Sequence, residues 1–509
     1  MTRPTLLAIL LLAAAVAALY AYRLSDSPIY LTPDEVVIGL DAHALATTGA
    51  DLRGRTLPLY FQINEFQVKG TIWYQPAIMY LTAAVLTIAP LTEWAIRSPA
   101  VLIGVIDVIL MFLLVRRLAP GSAPAWLAAI LLALSPAHFT HSRFAMDYIY
   151  PLPFILGWLC ALAVYLERRR PAALAIAGLC LGFGFYSYIA AIVLMPAFFV
   201  VTMIVLWHEG RLVDWKYAVA GFAAPLSLFV LWIATHLGVF AETFARYEFG
   251  NSNRVGLLDR FGLYWRYFSP SFLFFNGGSQ LVFSTRVAGV FPIVSLMLLP
   301  AGLIAVLRRP SSMGMLAVVG LLAAPLPAIL LDEGSAINRA LELVPFGIVL
   351  SVIGFNGLSQ ARPAMRAPAA IALIAVTAWQ FAIFGNDYFG DYRRRAASWF
   401  QFNIRGGLAA IVEHTGGAVR PVYLNDAIRW VDSYWKFHLA AVDREDLLAS
   451  TRGFTHLDRD VPTGSLLLVN FTDPAMAAET GAAIRAGDFH LVREITEPDG
   501  TVSFVVLER

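Results

Sequence analysis

Long apolar runs separated by short basic, aromatic or proline-containing breaks dominate the first three-quarters of the chain. A bilayer core about 30 Å thick is crossed by a helix of roughly 20 apolar residues. Eleven runs fit that length, near 4–24, 98–118, 122–140, 150–167, 172–187, 189–207, 217–238, 287–307, 313–331, 340–360 and 368–384. A further stretch at 75–90 is short and lies close to Glu93 and Arg97, so it is not counted as a span. Beyond residue 384 the pattern changes. Strand-like runs such as "RPVYLND", "GSLLLVNF" and "TVSFVVLER" alternate with helical stretches such as "DPAMAAETGAAIRAG", which predicts a small α/β unit. The expected fold is a multi-span α-helical membrane domain over 1–384, with about 11 transmembrane helices and long outer loops at 25–97 and 239–286. A soluble extracytoplasmic α/β domain over 385–509 follows it.

Composition agrees with a membrane protein: 59% of the 509 residues are hydrophobic and 14% are charged, against about 25% charged in an ordinary soluble chain. The net charge of +2 matters less than where the charges fall. With the N-terminus inside, the cytoplasmic connections carry Arg116–Arg117, Arg168 to Arg170, Arg211 with Lys216, Arg308–Arg309, and Arg362 with Arg366, as the positive-inside rule requires. The predicted location is the inner (cytoplasmic) membrane, with the polar loops outside. Cleavage of the first segment as a signal peptide would leave the same outward topology. Cys160 and Cys180 lie in apolar runs and read as packing residues. There is no Walker A loop, Rossmann glycine fingerprint or solenoid repeat, so neither nucleotide chemistry nor a nucleic-acid partner is expected.

The outer loops hold the candidate chemistry. In "LTPDEVVIGLDAHAL", Thr32, Pro33 and Glu35 spell an N-cap, a first-turn proline and a capping box. Asp34 is left unexplained. It would sit near the positive end of the helix dipole, which favours the ionised form. Asp41, seven residues on, reads as a solvated or interfacial acid. Asp147 follows Arg143 by four residues, the spacing of a helical ion pair. His138 and His141 read as solvated, and Asp107 lies within a span with no evident partner. Lys69, Arg143 and Arg339 fall near the outer face, either as snorkelling anchors or as phosphate contacts. The aromatic and basic stretch "RYEFGNSNRVGLLDRFGLYWRYF" suits an interfacial amphipathic helix or an aromatic belt.

Six stretches occur in the order "TPDE", "TTGADLRGRTLPLYF", "KGTIWYQPAIMYLTA", "HSRFAMDYIYPLPF", "YFSPSFLFFNGG" and "AINRALELVPF". Together they resemble the C-type (GT-C) glycosyltransferases that use polyprenyl-phosphate-linked sugars, in particular the protein O-mannosyltransferase and aminoarabinose transferase group. The resemblance covers most of residues 1–400. It implies Asp34 as the catalytic base and Asp147 as a second acid that orients the acceptor or the first loop. It also implies Lys69, Arg143 and Arg339 as substrate-binding cations, while Glu35 serves the capping box with a substrate contact as the alternative. Lys69 departs from the family's Lys-Pro-Pro-Leu region, being several residues from the single Pro76.

The function implied is an inverting transfer of a sugar from a polyprenyl-phosphate carrier to a protein, lipid or glycan acceptor on the outer face, in contact with membrane lipid. Such a transfer needs no cofactor. No H-x-x-x-H pattern calls for a metal. The alternative functions are a transporter or flippase of a lipid-linked sugar, or a membrane-anchored binding protein whose working part is 385–509.

Overall fold

The computed structural model describes residues 3–63, 71–246, 255–360, 362–457 and 460–509. Helix α1 (Arg3–Ala21) leads through a turn into α2 (Pro33–Thr48), and the two-stranded antiparallel ribbon β1 (Phe61–Ile63) and β2 (Ile72–Tyr74) precedes α3 (Pro76–Leu86). The helical body continues with α4 (Glu93–Leu118), α5 (Ala123–Ala133), α6 (Pro136–His141), α7 (Pro151–Arg168), α8 (Pro171–Gly184), α9 (Ala191–His208) and α10 (Trp215–Thr235). The middle loop carries α11 (Val239–Arg246) and α12 (Leu257–Arg266). Then come α13 (Ser295–Arg308), α14 (Ser312–Ala323), α15 (Leu326–Leu330), α16 (Leu343–Ser359) and α17 (Arg366–Phe389). Among the described residues six helical segments are long and apolar enough to cross a membrane, and six shorter apolar helices accompany them. The chain is a multi-pass membrane protein.

Each of the eleven apolar runs contains helix, and 75–90 adds α3. Two runs are shorter as helices than the hydropathy suggests. The 122–140 run breaks after α5 because Ser135 is extended ahead of Pro136, a conformation that the proline ring imposes on its predecessor. Helix α13 begins at Ser295 because Val290 and Phe291 donate their amides to the carbonyls of Phe272 and Leu273, in the short π-helical turn Ser271–Asn276, and not within their own helix. Small residues let the helices meet closely. A side chain at Gly302 would collide with the Leu350 carbonyl, and one at Gly354 with the Leu298 carbonyl, so α13 and α16 pack backbone to backbone.

After α17 the chain forms α18 (Asp391–Ala396), α19 (Ile404–His414), β3 (Val422–Asn425), α20 (Val431–Ala441), β4 (Thr451–Phe454), β5 (Leu466–Asn470), α21 (Pro474–Ala486), β6 (His490–Thr496) and β7 (Val502–Glu508). The five strands lie in the order β4-β3-β5-β7-β6. β3 runs parallel to β4 and β5, while β7 is antiparallel to both β5 and β6. One face of this sheet shares a continuous buried core with the helical body, and the other packs Phe454, Val469, Phe489 and Leu507 under α21. Three polar contacts add to that joint: Arg405 to Glu93 at 2.9 Å, Tyr30 to Glu497 at 2.8 Å, and the Tyr434 hydroxyl to the Leu31 carbonyl at 2.8 Å.

The entry to α2 is fixed from below by Arg97 of α4. Its guanidinium donates to Glu35 at 2.8 and 3.2 Å and to the carbonyls of Leu24, Pro28 and Tyr30 at 3.0, 3.1 and 2.7 Å. Glu35 also accepts from the amides of Thr32 and Ala145 at 2.9 and 3.0 Å. Neither side chain of the pair is exposed. Removing one partner leaves an uncompensated buried charge, so Glu35→Ala is expected to destabilise the protein by about 3–5 kcal/mol. The check is a fall in the thermal-unfolding midpoint of the detergent-solubilised protein. An unchanged midpoint would remove the pair from the account of how α2 is held.

Candidate active site

Asp34 is the second residue of α2, in a helix start that forms as its sequence implies. Thr32 Oγ1 accepts from the Glu35 amide at 3.3 Å, Glu35 answers on the Thr32 amide, and Pro33 occupies the first turn. Glu35 is turned inward to Arg97, and Asp34, about 100° further round the helix, points to a different side. The Asp34 carboxylate borders a cavity of about 280 Å³ and accepts a hydrogen bond from the hydroxyl of Tyr74 on β2. Tyr148, Phe283 and Arg246 also line this cavity, as do Trp399, Gln401 and Trp430 from the C-terminal third of the chain.

Electrostatically, burial dominates at Asp34. It pushes the carboxyl above the usual aspartate range, while the Tyr74 hydrogen bond and the charges of Arg246 and Arg339 pull it back and Glu35 adds to the rise. The helix dipole alone would favour the ionised form, and desolvation outweighs it. The result is a carboxylate more basic than a surface aspartate.

A second cavity of about 360 Å³ is lined by aromatic and aliphatic side chains, among them Tyr60, Trp73, Phe229, Trp232 and Ile189, with Arg339 on its wall. Arg339 Nε lies 2.7 Å from Glu333, and its Nη1 is 3.4 Å from the Tyr188 hydroxyl. Helix α11 serves both spaces: Phe240 and Thr243 border the apolar one, and Arg246, one turn on, borders the polar one. The Trp73 indole donates to Glu242 of α11 at 2.8 Å, which ties that helix to the β1–β2 ribbon. Across the other side, the rings of Tyr148 and Tyr188 meet edge to face with centroids 5.4 Å apart.

The sequence candidates therefore separate. Asp34 and Arg339 face these neighbouring cavities. Asp147, buried at the start of a short 3-10 turn, lies within electrostatic range of both of them. Glu35 and Arg143 are held elsewhere. Glu35 is committed to Arg97, and Arg143 donates to the carbonyls of Tyr20, Tyr22, Arg23 and Ser27 around the end of α1. The expected helical pairing of Arg143 with Asp147 does not form, because α6 stops at His141 and the intervening turn separates the two. Lys69 lies outside the described residues.

Three other expectations are corrected, for Asp41, His138 and His141, all of which are buried. Asp41 is buried rather than solvated and accepts from the Leu52 amide at 3.1 Å. His138 is fully buried between the Tyr20 hydroxyl at 2.9 Å and Asp107 at 3.2 Å, which supplies the partner that Asp107 lacked in the sequence. Helical runs alone give no sign of which way such side chains turn. Among the described residues no three His, Cys, Asp or Glu side chains gather as metal ligands.

Tyr74 and Arg246 both lie within quoted stretches of the sequence, yet nothing local marks them as neighbours of Asp34. Trp399, Gln401 and Trp430 carried no signal at all.

With this geometry established, the comparisons with known proteins can be set beside it. Residues 75–234, less than a third of the chain, match the family described as dolichyl-phosphate-mannose-protein mannosyltransferase. No curated protein matches the sequence. Among solved structures, ArnT from Cupriavidus metallidurans bound to undecaprenyl phosphate superimposes with a TM-score of 0.60 over 98% of this chain and 97% of that one, at 13% identity. Its apo state superimposes equally well. The Pmt1–Pmt2 protein O-mannosyltransferase complex of S. cerevisiae, bound to its sugar donor, aligns over 46% of this chain and 34% of that one, with 18% identity and a TM-score of 0.35. The likeness to ArnT establishes the fold, which is the C-type glycosyltransferase architecture that the sequence motifs resemble.

The charge state of Asp34 can be tested without any substrate. Protonated carboxyls react with carbodiimide, so labelling of the Asp34 peptide should rise as the pH falls, with a midpoint above that of an exposed aspartate. Tyr74→Phe removes a donor that stabilises the carboxylate, so the midpoint should move to still higher pH. An unmoved midpoint, read by peptide mass spectrometry, would show that Tyr74 does not tune Asp34.

Proposed function

We propose that this protein is an inverting glycosyltransferase that moves a sugar from a polyprenyl-phosphate carrier to an acceptor hydroxyl on the outer face of the cytoplasmic membrane. The observation that carries this reading is the pairing of cavities. A half-buried carboxylate of raised basicity faces a polar space, and beside it an apolar space has an arginine on its wall. The matched family and the ArnT-like fold support the same class of reaction. So does the undecaprenyl phosphate named with the ArnT structure.

In this reading the carrier's hydrocarbon lies along the aromatic wall of the larger cavity and its phosphate meets Arg339. The sugar reaches into the space beside Asp34. Asp34 takes the proton from the acceptor hydroxyl as the acceptor oxygen attacks the anomeric carbon from the face opposite the phosphate. The bond from that carbon to the phosphate oxygen breaks, and the polyprenyl phosphate departs with its added charge met by Arg339 and Arg246. Asp147, within electrostatic range of Asp34 and Arg339, orients the acceptor or the first loop. Burial serves the chemistry here, because a carboxylate whose proton affinity has been raised is a better base while still titrating below the acceptor. The acid limb of the rate profile should accordingly lie above that expected of an ordinary aspartate.

Two substitutions test the assignment with radiolabelled polyprenyl-phosphate sugars as donors. Asp34→Asn keeps the shape and removes the proton acceptor, so transfer should fall by about 10²–10⁴ with an unchanged unfolding midpoint. A well-folded, active Asp34→Asn protein would end the proposed mechanism.

Arg339→Ala should raise the KM for the lipid donor, and Arg339→Lys should recover part of the loss if the residue acts as a charge rather than a bidentate fork. Normal donor kinetics in the alanine variant would take Arg339 out of the site.

A further inference from the structure

The part of the Asp34 cavity contributed by the last quarter of the chain has no place in the chemistry above. Trp399 and Gln401 lie on the connection that follows α18, and Trp430 is the residue immediately before α20. Two of the three hold left-handed backbone conformations, with φ of 62° at Gln401 and 57° at Trp430. Bulky residues rarely adopt that region, and when they do the surrounding structure enforces it, most often at binding sites. At Trp430 the turn also costs α20 a conventional N-cap, since the indole supplies no capping hydrogen bond. The backbone is therefore arranged to aim these side chains rather than to start a helix or close a turn economically.

Their position relative to Asp34 is fixed by direct packing of α20 on α2. The Tyr434 hydroxyl reaches the Leu31 carbonyl just before α2, and a side chain at Gly39 of α2 would come within 2.7 Å of the Phe437 ring. Glycine at position 39 thus permits the approach that brings Trp430, one turn ahead of Tyr434, over the cavity. Trp399 is steadied from outside by the Arg286 guanidinium, 5.5 Å from its ring centroid. The donor's apolar cavity, with Arg339, is bordered by Phe240 and Thr243 of α11, whereas the indoles close the Asp34 cavity from the C-terminal unit, where an acceptor would meet the donor's sugar.

We infer that Trp399, Gln401 and Trp430 form the acceptor-recognition wall of the Asp34 cavity, and that the acceptor presents a carbohydrate ring rather than a peptide hydroxyl. This inference rests on the transferase reading. The chemistry of the wall selects the class. An indole face offers a broad, rigid apolar platform that matches the C–H face of a pyranose. The Gln401 amide offers both a donor and an acceptor, as a ring hydroxyl requires. An extended peptide would instead be read through main-chain pairing at a strand edge. The strands that run toward this cavity are the short β1–β2 ribbon, whose Tyr74 is occupied by Asp34.

The test uses nanodisc-reconstituted protein, a radiolabelled polyprenyl-phosphate sugar as donor, and two acceptors, octyl glucoside and a Ser/Thr-containing peptide. The wild type should label the glycoside in preference to the peptide. Trp430→Ala should raise the KM for the glycoside by roughly 5–10-fold while the KM for the lipid donor stays within about twofold. Trp430→Phe, which keeps an aromatic face, should recover most of the loss, and that recovery separates recognition from misfolding. The inference is overturned if the peptide is labelled and the glycoside is refused, if the donor KM rises instead, or if neither KM moves. A wild type that discharges no label from the lipid to any acceptor or to water would sink the transferase reading and this inference together, whereas discharge with the wrong acceptor sinks this inference alone.

Discussion

The structure depends on one buried ion pair. Arg97 places its guanidinium where three backbone carbonyls from the segment between α1 and α2 and the carboxylate of Glu35 converge. Taking two charges out of water is costly, and the cost is recovered only where every donor and acceptor finds a partner. Five hydrogen bonds from one side chain meet that demand. Their effect is directional as well as energetic, because fixing Glu35 fixes the rotation of the α2 start, and with it the turn of Asp34 toward its cavity. The Glu35 carboxylate also accepts from Ala145, so the segment between α6 and α7 that carries Asp147 is registered against α2 by the same contact. The geometry around the cavity is thus set from beneath by residues that take no part in its chemistry.

Above that base the two cavities divide the work by polarity. The larger one is walled by rings and aliphatic chains, with Arg339 at its wall, and suits a hydrocarbon, whereas the smaller one holds Asp34 and Arg246. Helix α11 stands between them, pinned to β2 through Trp73 and Glu242, and it turns an apolar residue to one side and Arg246 to the other. A periodicity of 3.6 residues is enough to give one short helix two such faces. Burial of Asp34 follows from this closed arrangement. Desolvation raises its basicity, against the pull of the Tyr74 hydrogen bond and the nearby arginines.

The C-terminal unit is bound to the membrane domain as part of one core, not as an appended module. Residues of its sheet belong to the same buried cluster as the spans, and α20 lies directly on α2. Its strands β3, β5 and β7 fall within the runs that the alternation of the sequence marked, and α21 falls within the stretch marked as helical. Its contribution to the Asp34 cavity had no mark in the sequence, since Trp399 and Trp430 lie hundreds of residues from Asp34 and in no recognisable pattern.

Local chemistry in the sequence determined a good deal. Hydropathy located every long apolar segment, because a span must satisfy its backbone within itself and fill about 30 Å with apolar side chains. The Thr-Pro-Asp-Glu start determined the cap of α2, because capping is decided within four residues. The order of six motifs pointed to the architecture. What only the tertiary structure decided is which way each charged side chain turns. Glu35 and Asp34 are adjacent, and although the capping box assigns Glu35 to the helix start, the direction of its carboxylate is settled by Arg97, sixty-two residues away. Arg143 read as a phosphate contact until the carbonyls at the end of α1 claimed it, and His138 read as solvated until Asp107 and Tyr20 enclosed it. The physical reason is the same in each case. Inside a membrane protein a polar side chain goes where its partners are, and those partners come from distant segments that only the folded chain brings together.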